Sequence, residues 1–245
     1  LFSLSQFVNY KPLSSMANTH HYLEHMMFSP GGDKFMVLHR WKQIDSGIYT
    51  RLYVANTDGT GLTLLNDSGR FGHACWRNNT KIIAHCALPS TLNRIRSYRS
   101  VAKLLFKPLL GMYHKFVPSH SVLAQTLTGD RYLEFDLSGA KPIPVADCLR
   151  GEDGHPSFSP VNEDLMVTDT YPDFKSSVKK KAKLILYNFR DDQPIVADEL
   201  DSIGEFDNTG SRCDLHPRWH STGELISIDT MHSGVRSVRV YRVLE

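Results

Sequence analysis

Short runs of alternating apolar and polar residues fill most of the chain, and one order of residues recurs four times. The segments are HMMFSPGGDKFMVLH (His25–His39), HACWRNNTKIIAH (His73–His85), HPSFSPVNEDLMVTD (His155–Asp169) and HPRWHSTGELISID (His216–Asp229). In each, a histidine stands three positions before an aromatic residue (Phe28, Trp76, Phe158, Trp219). A polar turn, a short apolar run and a closing polar residue follow. The turns SPGGD, RNNT, SPVNE and HSTGE carry the Pro, Gly and Asn that tight strand connections use, and β-branched or aromatic residues flank them. Each unit is therefore predicted to open as a β-hairpin. A third strand is visible in TRLYVAN from Thr50, DRYLEFDL from Asp130, KLILYNF from Lys183 and RSVRVYRV from Arg236. Residues after the first three of these can supply an outer strand.

Several short strands per repeat, with turn signals between them and little helical periodicity, point to an all-β fold, a β-propeller. Four blades are recognisable in a single domain over 1–245, beginning near positions 25, 73, 155 and 216. Blades run to roughly 40–50 residues, so the longer intervals hold insertions, the larger at 89–128 and a smaller one around PDFKSSVKKKAK. Propellers close into rings of about four to eight blades to hide their sheet edges. The expectation is a larger ring of about six to eight blades, with a complete four-bladed ring as the alternative and residues 1–24 as the outer strand of a further blade.

In a propeller the innermost strands line a central channel, so repeat-equivalent positions converge there. His25, His73, His155 and His216 are such equivalents and are expected to form an arc at one mouth. Gathered imidazoles are good ligands for a divalent first-row metal such as Mn, Fe, Zn or Ni. Asp153 in EDGH and Asp214 in CDLH stand two residues before their histidines, as further ligands or as groups that orient the imidazoles. The competing reading is structural, because Gly-His pairs at blade entrances are satisfied within the blade in WD-type repeats. Gly72-His73 and Gly154-His155 have that form, although the matching Trp-Asp dipeptide is missing from the sequence.

A second set of equivalents closes the hairpins: His39-Arg40, His85-Cys86, Asp169-Thr170-Tyr171 and Asp229-Thr230-Met231-His232. These serve either as caps on strand ends or as a functional rim of Arg40, Tyr171, His232 and Arg236. Arginine offers a planar fork to a carboxylate, and tyrosine or histidine can take and return a proton. With a metal, such a group suits an acidic sugar, because a metal-held carboxylate eases removal of the adjacent proton, the chemistry of uronate β-elimination.

FSPGGDKF from Phe28, SFSPVNEDL from Ser157 and DLHPRWHSTGEL from Asp214 resemble the blade turns of oligogalacturonate lyases and of Tol-Pal-type propellers. The resemblance implies a seven-bladed, metal-dependent lyase acting on short uronate chains, with a metal site of several histidines and a glutamine. That family carries a His-Pro-His-Pro element. Its second histidine corresponds to His216, its first falls on Asp214, and the preceding glutamine maps near Ser211. The alternative to an enzyme is a scaffold that binds a protein or glycan across the propeller face.

Charge and composition narrow the partners. Among 245 residues, 28 Lys+Arg face 26 Asp+Glu, a balance that gives no reason to expect nucleic acid. The 89–128 insertion is locally basic, with Arg94, Arg96, Arg99, Lys103, Lys107 and Lys115 and no acid. Ile95, Tyr98, Ala102 and Leu105 recur at helical spacing. The stretch 94–107 is thus expected to be a basic amphipathic helix, packed on a blade, closing over an anionic glycan, or touching an anionic membrane surface. Cys75, Cys86, Cys148 and Cys213 form no C-x-x-C pair and read as buried thiols of a reducing, cytoplasmic compartment. Phosphate-cradling loops, G-x-S-x-G and H-E-x-x-H are missing from the sequence.

Overall fold

Among the described residues the repeated runs become fifteen strands in four antiparallel sheets, and the sheets follow the repeats. In the computed structural model the described residues are 2–42, 48–87, 129–150, 152–171, 181–201 and 213–244. The first blade comprises β1 (His21–Phe28), β2 (Lys34–Lys42), β3 (Ile48–Asn56) and β4 (Thr63–Asn66). The second comprises β5 (Phe71–Trp76), β6 (Lys81–Cys86), β7 (Arg131–Asp136) and β8 (Ile143–Pro144). The third holds β9 (Ser157–Phe158), β10 (Leu165–Asp169), β11 (Lys181–Asn188) and β12 (Gln193–Asp201). Among the described residues the fourth has β13 (Arg218–Trp219), β14 (Leu225–Thr230) and β15 (Ser237–Arg242). In each sheet the strands pair in sequence order. This is the blade topology of a β-propeller. The basic stretch 94–107 and Ser211 lie outside the described residues.

The predicted turns close the hairpins. Ser29 N–H donates to the Lys34 carbonyl across SPGGD, and Ser159 N–H donates to that of Leu165 across SPVNE. Gly32 has φ of 73° with open space where a side chain would sit, so the backbone alone calls for glycine there. The entrance strands β9 and β13 are two residues long. Pro156 and Pro217 lack the N–H that would extend the ladder backward, so each strand begins just after its proline.

The chain forms two compact units. One takes in the first blade and the N-terminal segment; the other takes in 72–85, 131–134 and 143–245. In the first unit, residues 4–16 correct the expectation of an outer strand. Leu4–Asn9 form a helix, α1, and Ser14–Met16 a 3-10 turn. The cause is tertiary: Phe7 is buried with Phe35, Val37, Tyr53 and Ala55, and Met16 with Trp41 and Tyr49. Arg51, fully buried, donates to the carbonyls of Tyr10 (3.1 Å) and Lys11 (2.9 Å), and its guanidinium lies 5.5 Å from the Trp41 ring centre.

In the second unit two apolar clusters join successive blades. Cys75, Ile83 and Tyr132 pack with Met166, Ile185 and Tyr187, and Val167 and Leu184 pack with Leu215, Ile226 and Ile228. Arg77 straps the second blade to the third: it donates to Glu134 (2.5 Å) and Asp164 (2.7 Å) and lies 4.4 Å from the centre of the Phe189 ring. Cys75 and Cys86 are buried, and burial pushes the Cys75 thiol up. Cys148 departs from the expectation. It sits in a short surface turn, Asp147–Leu149, and is exposed, while Cys213 is half-buried.

Candidate functional site

Within the second unit, three repeat histidines stand together. His73 is on β5, and His155 and His216 stand two residues before β9 and β13. The ring centres of His73 and His155 are 4.2 Å apart, and those of His155 and His216 are 3.9 Å apart. His155, His216 and Asp214 each present a ligand atom, all within 4.8 Å of one another. Two imidazoles and a carboxylate form a donor set suited to a first-row divalent metal and leave coordination positions for a ligand.

Carboxylates fix the rings from behind. His73 Nδ1 is 3.1 Å from Asp153 Oδ1, and His155 Nδ1 is 2.9 and 3.0 Å from the two oxygens of Asp169. A carboxylate only accepts, so each Nδ1 carries a proton, and the neutral tautomer this selects is the one with its lone pair on Nε2. Both Nε2 atoms face the Tyr171 hydroxyl, at 3.5 Å from His73 and 3.4 Å from His155. His85 Nδ1 lies 3.6 Å from the same Asp153 oxygen. Burial pushes the Asp153 carboxyl up, but the His73 hydrogen bond and the charges of His85, His73 and His155 outweigh it and hold the group below 3.8. Burial, with the His155 charge next, lowers His216 below 6.5, against the opposing pull of Asp169 and Asp214. That imidazole is therefore neutral at pH 7 and available as a donor.

The glycines of the Gly-His pairs mark close approaches. A Cβ on Gly154 would come 1.9 Å from the Asp169 carbonyl oxygen, and one on Gly72 would come 2.5 Å from Asp153 Oδ2. Each glycine lets an acid-bearing segment run close against the histidine's own backbone.

The other predicted residues have different surroundings. His25, in the first unit, has a half-exposed ring 3.1 Å from Glu24, and the Arg40 guanidinium pairs with the same carboxylate. His232 Nδ1 accepts the backbone N–H of Asp201 at 3.0 Å. Arg236 is exposed, close enough to Cys213 for its charge to oppose the upward push of burial on that thiol. Of the predicted rim, Tyr171 alone has a hydrogen-bond partner among the repeat histidines of the described residues.

Two contributors were not singled out in the sequence as site residues: Asp169, 2% exposed, and His85, 4% exposed. Their signal was the shared position at the end of each hairpin. Which loop each side chain meets depends on the neighbouring blade and cannot be read from spacing.

No protein-family model matches the chain, and no curated protein sequence matches it. Solved structures do. An acylaminoacyl peptidase from Pyrococcus horikoshii superposes with a TM-score of 0.53 at 8% identity, over 92% of this chain and 32% of that one. An oligogalacturonate lyase from Vibrio parahaemolyticus gives 0.44 at 11% identity, over 94% and 68%. The β-propeller domain of the Trilobed protease from Pyrococcus furiosus gives 0.43 at 8% identity, over 92% and 55%. The likeness is one of fold alone: a β-propeller. The chain spans about a third of the length of the peptidase.

Proposed function

We propose that the histidine cluster is a divalent-metal centre for a carboxylate-bearing sugar, and that the protein is a carbohydrate-directed propeller that cleaves acidic oligosaccharides by β-elimination. The observation that carries this reading is the His155–Asp214–His216 donor set within 4.8 Å, with His155 Nδ1 already occupied by Asp169. His155, His216 and Asp214 would hold the ion, and a bound metal supplies charge that stabilises the carboxylate as the adjacent carbon loses its proton.

This chain's own groups handle the proton. The Tyr171 hydroxyl faces Nε2 of both rings, so with His73 in its Nδ1-protonated neutral form it can pass its proton to His73 Nε2 and take the one released by the substrate. The ionised Asp153 behind His73 favours the charged imidazolium that results. The carbon–hydrogen bond breaks as a carbon–carbon double bond forms, the carbon–oxygen bond to the leaving sugar breaks, and the leaving oxygen takes the proton held on His73, which restores the neutral imidazole.

A binding-only reading keeps the metal and the sugar and omits the cleavage. It is favoured by the engagement of Arg40 with Glu24 and of His232 with Asp201, which leaves Tyr171 as the rim residue hydrogen-bonded to the histidines. The test is elemental analysis of the purified full chain, followed by ultraviolet absorbance of unsaturated uronate during incubation with uronate oligosaccharides. Metal and product together support the lyase, and metal with sugar binding but no product supports the binding-only reading. No metal uptake from Mn, Fe, Zn or Ni overturns both.

A further inference from the structure

We infer that Asp169 is a positioning residue that pre-assembles the metal centre by tying the entrance segments of two blades to one carboxylate. Its value to function rests on the metal reading above. The position itself rests on hydrogen bonds independent of any ligand.

Asp169 ends β10, the second strand of the third blade, and its side chain is 2% exposed. A buried carboxylate is costly unless donors surround it. Here Oδ1 accepts the backbone N–H of His155 at 2.6 Å, and Oδ2 accepts the backbone N–H of His216 at 3.1 Å. The His155 ring adds its Nδ1–H at 2.9 and 3.0 Å. The carboxylate thus joins the third blade's entrance to the fourth's and sets the tautomer that leaves His155 Nε2 able to donate to a metal.

Two backbone features fit that role. His216 has φ of 42° immediately before Pro217, where a non-glycine residue normally avoids the left-handed region and a following proline favours extended backbone. The N–H held by Asp169 belongs to this strained residue, as expected where surrounding bonds over-determine a sparse conformation. On the other side, Gly154 leaves room for the Asp169 main chain, whose carbonyl oxygen would be 1.9 Å from any Cβ there.

The decisive variant is Asp169→Asn. It keeps the shape and one acceptor oxygen but sets an amide N–H against one of the donors. Zn2+ binding to the full chain is measured by calorimetry, and the His155 ring tautomer is read in the metal-free protein from long-range proton–nitrogen NMR spectra. The expected result is a loss of about 10–100-fold in Zn2+ affinity, together with a shift of His155 away from the Nδ1-protonated form. A cooperative melting transition retained by Asp169→Asn separates positioning from unfolding. If the variant does not fold, Asp169→Ser with the same two readouts replaces it. Unchanged affinity, or an unchanged His155 tautomer, overturns the inference. Should the wild-type protein bind no Zn2+, the metal reading fails by itself, and the tautomer still decides whether Asp169 positions His155.

Discussion

The first and third blades open with the same grammar, a histidine three residues before an aromatic and a polar residue at the hairpin's far end, yet they hold that histidine differently. In the third blade the hairpin closes on Asp169, and its carboxylate fixes both the ring and the backbone of His155. In the first blade the equivalent position is His39. Its buried ring turns to His21, Nε2 to Nδ1 at 3.0 Å, and stacks on it with centroids 5.1 Å apart. His25, itself exposed, is left to the half-buried Glu24–Arg40 pair. A repeat therefore fixes where an imidazole begins, and the residue closing the hairpin decides whether it is oriented for use.

The sharpest break of this comparison is a pair of alanine variants. His155→Ala should lower Zn2+ affinity by about 1,000-fold, equivalent to about 4 kcal/mol, while His25→Ala should change it less than about twofold. Parallel calorimetric titrations check both, and equal losses would erase the distinction between the blades.

The next effect is on stability against pH. Burial, followed by the charges of His21 and Arg51, lowers His39 to about 4 from 6.5. Between those values the unfolded chain binds a proton that the folded chain refuses, so stability falls as pH drops from 6.5 towards 4. At ~1.4 kcal/mol per pH unit the loss comes to about 3 kcal/mol. Denaturant titrations at successive pH values should show this fall in the wild type and a smaller one in His39→Gln. A parallel fall in both proteins would assign the acid sensitivity elsewhere.

The smallest effect belongs to the first blade's surface. Glu24→Gln takes the charge from the partner of Arg40 and His25, and because that pair is half-buried at the blade surface the cost should be about 1 kcal/mol. A larger shift in thermal midpoint would mean that the pair supports β1 rather than merely decorating it.

Most of the blade plan was legible in the sequence because its signals are local. SPGGD and SPVNE close hairpins whatever surrounds them, and apolar runs such as KFMVL become strands buried on both faces. The short entrance strands follow from Pro156 and Pro217, whose effect is also local. The helix at Leu4–Asn9 was hidden, since Phe7 finds its place only among side chains of β2 and β3, many residues later. Of the candidate site, His73, His155, His216 and Tyr171 were legible through repeat equivalence, and Asp153 and Asp214 through their place two residues before a histidine. Asp169 was visible only as a strand end, because its donors come from two separate segments of the chain.

The grip of Arg51 on the carbonyls of Tyr10 and Lys11 makes the N-terminal segment an internal part of the first blade rather than a detachable tail. A protease cut that released the segment would leave a permanent cation facing Trp41 with the Tyr53 hydroxyl but without the two carbonyls. Trimmed versions that begin at the first repeat would therefore inherit a buried guanidinium that keeps the Tyr53 hydroxyl but has lost both carbonyls.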